Sequence, residues 1–171
     1  MKLYQQIDIP NLSELQAAIL SIIPAARRTK TDLFYLPVAH YMILPEFREM
    51  LEHTKLSENV LSIATVVVEP GLENWPIHVD HGDTPWSLNI PIQHCEGTWT
   101  TWYSTDQSPA YTERPGKDTG YYRYNVEECK AIDQLEMTKP HIINIHVPHG
   151  IANPKDQTRI LTAIRLRNFE L

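Results

Sequence analysis

The sequence is poor in cysteine, with only Cys95 and Cys129 among its 171 residues. Two cysteines are too few for the disulfide framework of a small secreted protein, and their scarcity suits a reducing compartment. The CxxC spacing of zinc sites is missing as well, so a cysteine-based site would need Cys95, His94 and partners elsewhere in the chain. These absences favour a cytosolic protein and give no support to a structural zinc site.

Long apolar runs and clustered cations are also scarce. No run reaches the roughly 20 residues that a membrane-spanning helix requires, and the N-terminus lacks the apolar segment of a signal peptide. The net charge of −6 argues against a nucleic-acid surface, because phosphate binding requires clustered cations. The one basic cluster, Arg27, Arg28 and Lys30, is typical of a solvated turn. We therefore expect neither nucleic acid nor membrane as a partner.

The N-terminal part of the chain, residues 1–59, carries helical and extended patterns. A first helix is predicted over residues 11–23, where apolar side chains recur at helical spacing before a proline. Residues 31–39 are predicted to be extended, and Pro37 places them at a sheet edge or in a loop. A second, short helix is predicted over residues 46–52, directly after a proline. We expect both helices to pack on the outside of a sheet.

The remaining part, residues 60–171, is predicted to be a β core. Short strands separated by turn residues are typical of a sandwich or barrel. The polar segment 104–120 lacks periodicity and is predicted to be a loop bordering a site. With 171 residues, the chain is long enough for one domain with a substantial core. Seven segments are predicted to be strands: 61–69, 86–92, 98–103, 121–126, 131–137, 141–147 and 158–169.

A His-x-Asp pair, His78 and Asp80, follows the apolar run 61–68. Because side chains alternate along a strand, the two residues are expected to share one face. One imidazole and one carboxylate are two of the three ligands in the facial triad of non-heme iron. His149 follows a second apolar run and can supply the third ligand. The nearest rival, His81, should point away from the face of Asp80.

The other histidines are predicted to have structural roles. His94 and His146 lie in or beside predicted strands, where a structural role or a contact with a metal ligand is more common than metal binding itself. His40, His53 and His141 are interpreted as surface or packing residues. Six of the eight histidines lie from His78 to His149, which favours a metal site in that part of the chain.

Arg159 lies ten residues after His149, at the start of the last predicted strand. An arginine can hold a carboxylate with two parallel hydrogen bonds, so this position suits an anionic ligand such as the distal carboxylate of 2-oxoglutarate. An exposed ion pair with Asp156 is the alternative. Arg165 and Arg167 share the parity of Arg159, which keeps that alternative open.

This combination resembles the Fe(II)/2-oxoglutarate-dependent oxygenase superfamily: a His-x-Asp pair, a distal histidine, and an arginine ten residues further on. Within the superfamily the chain is most similar to the aspartyl/asparaginyl β-hydroxylase-like group. The resemblance covers roughly residues 61–169, about two thirds of the chain. Three pieces carry it: Glu69-Pro70-Gly71 with Trp75-Pro76 and His78, the segment Leu88-Asn89-Ile90-Pro91-Ile92, and residues 149–159.

The resemblance implies a mainly β, double-stranded β-helix fold (a jelly roll, cupin-like) and a hydroxylase. It implies Fe(II) held by His78, Asp80 and His149, and 2-oxoglutarate anchored by Arg159, with Asn89 as a further co-substrate contact. Dioxygen and a C–H bond of a small molecule or a protein side chain would be the other reactants, and succinate and CO₂ would be released. The oligomeric state is not predicted.

The chain departs from this group at two points. Characterised members commonly have glycine where this chain has Asp80, so a full triad is expected here. They also place a histidine and a serine near the co-substrate, at the positions of Asn89 and Val66. The co-substrate pocket is therefore expected to be built differently.

Other functions fit parts of the pattern. A metal-binding cupin, such as an isomerase or a ligand-binding module, would keep the His/Asp cluster but would have no need of Arg159. Zinc also accepts two histidines and a carboxylate, yet the sequence offers no well-placed general base for zinc hydrolysis. A structural jelly roll with a vestigial site would not require an intact triad.

Overall fold

The computed structural model describes residues 2–73, 75–80, 84–112 and 121–171. Two six-stranded antiparallel sheets dominate this part of the chain, which confirms the mainly β prediction. Strands are numbered in chain order. From edge to edge, sheet A contains β1 (Tyr4–Gln6), β10 (His141–Asn144), β5 (Trp86–Gln93), β12 (Arg159–Leu166), β3 (Val60–Val68) and β2 (Asp32–Tyr35). Sheet B contains β7 (Ala110–Thr112), β8 (Tyr121–Arg123), β4 (His78–Asp80), β11 (His149–Ala152), β6 (Trp99–Ser104) and β9 (Lys130–Glu136).

The chain passes repeatedly from one sheet to the other. β3 and β5 belong to sheet A, whereas β4 and β6 belong to sheet B, and β9 to β12 alternate between the sheets in the same way. β12 lies inside sheet A, where it pairs with β3 on one side and β5 on the other. Two antiparallel sheets with this alternation are consistent with the predicted jelly roll.

The central strands of sheet A are buried on both faces. On β12, Ile160 and Ile164 belong to one hydrophobic cluster, whereas Leu161 belongs to a second one. The first cluster also contains side chains of the helices α1 (Leu12–Ile22) and α3 (Pro45–Thr54). The second cluster joins sheet A to Trp102 of sheet B. Burial on two faces explains why β3 has a largely apolar sequence.

The N-terminal predictions are partly correct. α1 and α3 cover the two predicted helices, and β2 is the edge strand that Pro37 indicated. The end of the predicted extended segment is wrong, because Val38–Met42 forms a short helix, α2. Tyr41 of α2 is completely buried, and its hydroxyl lies 3.2 Å from Oγ1 of Thr65 on β3. Tertiary packing therefore overrides the extended pattern.

The β-strand predictions mainly differ from the structure at strand ends. The strand predicted over residues 141–147 ends at Asn144. β1 and β11 were not among the predicted strands, and Ala110–Thr112 forms β7 inside the segment that was predicted to be a loop. Residues 113–120 of that segment lie outside the described residues. In the part of the chain that the structure describes, no helix is long and apolar enough to cross a membrane.

Candidate metal centre and adjoining cavity

The short strand β4 presents His78 and Asp80 on one face. His78 is buried, and its Nε2 atom lies 3.9 Å from Oδ1 of Asp80. The backbone N–H of Asp80 donates a hydrogen bond of 3.2 Å to the carbonyl of Ile145, just beyond β10. His78 and Asp80 are therefore held in place by the neighbouring strands β8 and β11 and by the residue that follows β10.

His149 begins β11 and lies opposite His78 in the antiparallel register. Gly150, the next residue, has a packing role: a Cβ atom there would lie 3.2 Å from the carbonyl oxygen of Trp75. A larger residue would push away the segment that leads into β4, whose Trp75 N–H donates to the carbonyl of Ile151 at 2.7 Å. Glycine thus lets the two histidine-bearing segments approach each other closely.

Both imidazoles are oriented by their own backbone. Nδ1 of His78 lies 2.8 Å from the carbonyl of Pro76, and Nδ1 of His149 lies 2.9 Å from the carbonyl of Val147. A carbonyl can only accept a hydrogen bond, so each Nδ1 must carry the proton. Each Nε2 then keeps a lone pair, which is the arrangement found in most metal-bound histidines.

His78, Asp80 and His149 form a cluster of potential ligands. One ligand atom from each residue lies within 4.8 Å of the other two. Burial lowers the pKa of His149 below its usual range, Asp80 and the Val147 carbonyl oppose that shift, and Arg165 adds to it. The neutral imidazole is the form that binds a metal. Two imidazoles and a carboxylate this close together fit the donor set of a non-heme Fe(II) centre.

Arg159 lies at the start of β12 with only 1% of its surface exposed. Its Nε and Nη1 atoms are buried and have no hydrogen-bond partner among the described residues. Burial lowers the pKa of its guanidinium, and the nearby Cys95 opposes that shift; arginine nevertheless remains protonated in proteins. The burial excludes the alternative of an exposed cation paired with Asp156. Unpaired buried N–H groups suit a carboxylate ligand, since buried donors are normally satisfied.

A single cavity between the two sheets contacts both the ligand cluster and Arg159. β12 lines it with every second residue, namely Arg159, Leu161, Ala163 and Arg165. The other walls are mainly apolar and include Leu33, Ala64, Val66, Trp75, Ile143, Ile145 and Ile151. The residues predicted from separate parts of the sequence therefore lie around one space.

Asn89 also lines this cavity, on β5. Its Oδ1 accepts a hydrogen bond of 2.8 Å from the Oγ of Ser87, so the side-chain amide is fixed with its NH₂ group available to donate. Both residues are buried. Ser87 was not identified from the sequence, although it lies two residues before Asn89 on the same strand and is therefore expected on the same face.

Arg165 is the second arginine of the cavity, and the sequence had assigned it no role of its own. Its Nη2 atom lies 3.1 Å from Oδ2 of Asp80, and both side chains are mostly buried. The sequence could have indicated this position, because Arg165 lies an even number of residues after Arg159 on β12. Of the rival histidines, His94 and His146 are exposed and outside the ligand cluster, whereas His81 lies outside the described residues.

Comparison with known proteins extends the fold description. No protein-family model matches the sequence, and no curated protein matches it. AviO1 from Streptomyces viridochromogenes Tue57 is similar in structure, with a TM-score of 0.57 and 14% identity over 97% of this chain and 90% of AviO1. The chain shares its fold with non-heme oxygenases. SnoK, a non-heme alpha ketoglutarate dependent carbocyclase from nogalamycin biosynthesis, gives a TM-score of 0.52 and 12% identity over 95% of this chain and 79% of SnoK.

A third solved structure has the same fold. The non-heme monooxygenase ThoJ gives a TM-score of 0.50 and 12% identity, over 95% of this chain and 73% of ThoJ. The TM-scores show a common fold, whereas identities of 12–14% give no information on a common substrate.

Proposed function

We propose that this protein is an Fe(II)- and 2-oxoglutarate-dependent oxygenase that hydroxylates an unactivated C–H bond and releases succinate and CO₂. The observation that carries the proposal is Arg159, a buried guanidinium whose Nε and Nη1 have no hydrogen-bond partner among the described residues, in the same cavity as His78, Asp80 and His149. A metal cluster alone fits many cupins, whereas an adjacent unpaired cation requires an anionic partner. The descriptions of SnoK and ThoJ agree with this class of chemistry.

The residues would divide the work of binding and orientation. Nε2 of His78, Nε2 of His149 and one carboxylate oxygen of Asp80 would hold the metal from one side. Arg159 would bind the distal carboxylate of 2-oxoglutarate through its planar fork. The amide NH₂ of Asn89, held by Ser87, would donate a hydrogen bond to a co-substrate oxygen. Iron with 2-oxoglutarate would supply the oxidising chemistry.

The apolar walls would keep water away from the reacting C–H bond. A dry cavity strengthens the electrostatic contacts within it and limits side reactions. Residues 1–171 would act as one domain, in which residues 60–171 supply the site. The N-terminal part, residues 1–59, adds Leu33 and Tyr35 to the cavity wall.

The substrate is proposed to be an amino-acid side chain, in a protein or free, or another small molecule. The similarity of the motifs to the aspartyl/asparaginyl β-hydroxylase-like group favours the first. Asp80 sets this chain apart from the characterised members that have glycine there. A metal-binding cupin that does not use 2-oxoglutarate is the second candidate, because the His/Asp cluster by itself is compatible with it.

Uncoupled turnover tests the proposal without a known substrate. Metal-free protein would be supplied with Fe(II), 2-oxoglutarate and air, and succinate would be measured. We expect iron-dependent succinate from the wild type and from Arg167→Met, a matched control at an exposed arginine of the same parity. His149→Ala and Arg159→Met should form none above the metal-free background. A wild type that binds iron but never forms succinate would support the cupin alternative instead.

A further inference from the structure

Arg165 connects the two sheets at the ligand cluster. It lies on β12 in sheet A, and its guanidinium contacts Asp80 on β4 in sheet B, with Nη2 3.1 Å from Oδ2. The two carboxylate oxygens of Asp80 therefore have different surroundings. Oδ2 faces the guanidinium, whereas Oδ1 lies on the side of the imidazoles, 3.9 Å from Nε2 of His78.

The backbone on the Arg165 side of this contact is firmly held. β12 pairs with β3 and with β5, where Arg165 lies opposite Ser62 and Ser87. Within the described residues, β4 pairs with β8 along His78–Asp80 and with β11 through His78 and His149. Asp80 is thus contacted from the opposite sheet by a guanidinium whose own strand is paired on both sides, so this ion pair can fix the orientation of the carboxylate.

We infer that Arg165 is a positioning residue that turns Asp80 so that one carboxylate oxygen is offered to the metal while the other is held by the guanidinium. This inference rests on the metal centre of the proposed function. A carboxylate held in this way is a one-oxygen ligand, which leaves more of the metal's coordination sphere for other groups than a carboxylate that binds through both oxygens. Arg159, whose buried N–H groups lack partners among the described residues, remains the anion anchor.

The two arginines of β12 therefore have separate tasks. Arg159 is directed to a ligand that enters the cavity, whereas Arg165 is directed to a side chain that is already there. Mutation of a residue that hydrogen-bonds to a metal-ligating carboxylate typically lowers the metal affinity by roughly 10- to 100-fold. The effect of Arg165 should pass through Asp80 and vanish when Asp80 can no longer act as an anionic ligand.

A double-mutant cycle with cobalt tests this dependence. Co(II) would be titrated anaerobically, without 2-oxoglutarate, into the wild type, Arg165→Met, Asp80→Asn and the double variant, with visible absorption as the readout. We expect Arg165→Met to weaken Co(II) binding by roughly 10- to 100-fold in the wild-type background. In the Asp80→Asn background, Arg165→Met should lower the Co(II) affinity by at most about threefold, because the effects of mutations at two interacting residues do not add. The absorption spectrum of bound Co(II) should also change in Arg165→Met.

Two controls keep the outcomes distinct. Arg167→Met, at an exposed arginine that donates to the carbonyl of Glu58, should bind Co(II) like the wild type. If Arg165→Met does not fold, as judged by circular dichroism, Arg165→Lys replaces it in the same cycle, with a smaller loss of affinity and a changed spectrum expected. The inference would be overturned if Arg165→Met bound Co(II) as tightly as the wild type, or more tightly, with an unchanged spectrum. It would also be overturned if the mutation lowered the Co(II) affinity equally in the wild-type and Asp80→Asn backgrounds. A wild type that binds no Co(II) would overturn the metal centre itself.

Discussion

His78 and His149 lie directly opposite each other on the neighbouring strands β4 and β11, with their ring centroids 4.5 Å apart. Each ring donates its Nδ1–H to a carbonyl two residues earlier in the chain. The same local device therefore orients both rings, and the antiparallel register brings their Nε2 atoms to the same side. The antiparallel pairing thus brings together two imidazoles that are far apart in the sequence.

Loss of one of these imidazoles should abolish tight metal binding. His149→Ala leaves one imidazole and one carboxylate, which do not form a facial triad. We expect Fe(II) to bind wild-type protein with one equivalent per chain and to bind His149→Ala too weakly to titrate. The measurement is an anaerobic titration followed by the charge-transfer absorption that forms with 2-oxoglutarate.

The exposed His146 provides a control close to this site in the sequence. His146→Ala should give an absorption band of nearly wild-type intensity. A full-intensity band in His149→Ala would show that His149 is not a ligand.

Replacement of Arg159 by lysine should weaken the binding of 2-oxoglutarate selectively. Lysine keeps the charge but lacks the planar fork, so the loss is expected to be roughly 1–3 kcal/mol, the scale of a hydrogen bond to a charged group. Iron affinity should hardly change, because Arg159 is not in the ligand cluster. Titration of the iron-loaded protein with 2-oxoglutarate measures the co-substrate affinity, and titration of the metal-free protein with Fe(II) measures the iron affinity. Arg167→Lys is the control in both titrations. Undiminished co-substrate affinity in Arg159→Lys would assign the anchor to another cation, with Arg165 the first to test.

Ser87 should influence co-substrate binding through Asn89. Without the Ser87 hydroxyl, the amide of Asn89 loses the bond that fixes its orientation. We expect Ser87→Ala to weaken 2-oxoglutarate binding by about 0.5–1.5 kcal/mol, the net contribution of a hydrogen bond. Asn89→Ala should weaken it at least as much, and in that background Ser87→Ala should have little further effect.

The matched control for this serine is Ser104→Ala, at the exposed end of β6. Calorimetric titration of 2-oxoglutarate into the Fe(II)-loaded protein under nitrogen compares the variants. Equal affinity in the wild type and Asn89→Ala would remove Asn89 from the co-substrate site.

The metal-free protein should lose stability in mild acid. Burial lowers the pKa of His141 below its ordinary value of 6.5, although its hydrogen bond to the Lys139 carbonyl opposes the shift. The unfolded chain therefore binds a proton at a pH where the folded chain does not. Stability should fall as the pH decreases through the unfolded value, by up to about 1.4 kcal/mol per pH unit for each such group. His149, whose pKa is lowered by deeper burial, should add to the effect.

Urea unfolding in the presence of a chelator, at several values between about pH 7.5 and 5.5, measures this dependence. His141→Gln should reduce the slope of the unfolding free energy against pH, whatever its effect on the absolute stability. A slope that is unchanged in His141→Gln would show that another group causes the acid sensitivity.

Local sequence patterns were sufficient for the residues whose placement follows from strand period. His78 and Asp80 share a face because side chains alternate along β4. The short elements were harder. α2 and β7 have little intrinsic preference for their structures, and α2 is stabilised by the burial of Tyr41 against β3.

The amino-acid sequence by itself determined the β-rich class, the His/Asp/His set and the candidate anchor, because these depend on composition, period and spacing. Only the tertiary structure shows that Arg165 contacts Asp80, whereas Nε and Nη1 of Arg159 have no hydrogen-bond partner among the described residues. That distinction depends on the packing of sheet A against sheet B, which brings β12 opposite β4 although the two strands are distant in the chain. Strand period tells which face a side chain occupies, but only the stacking of the sheets determines what that face meets.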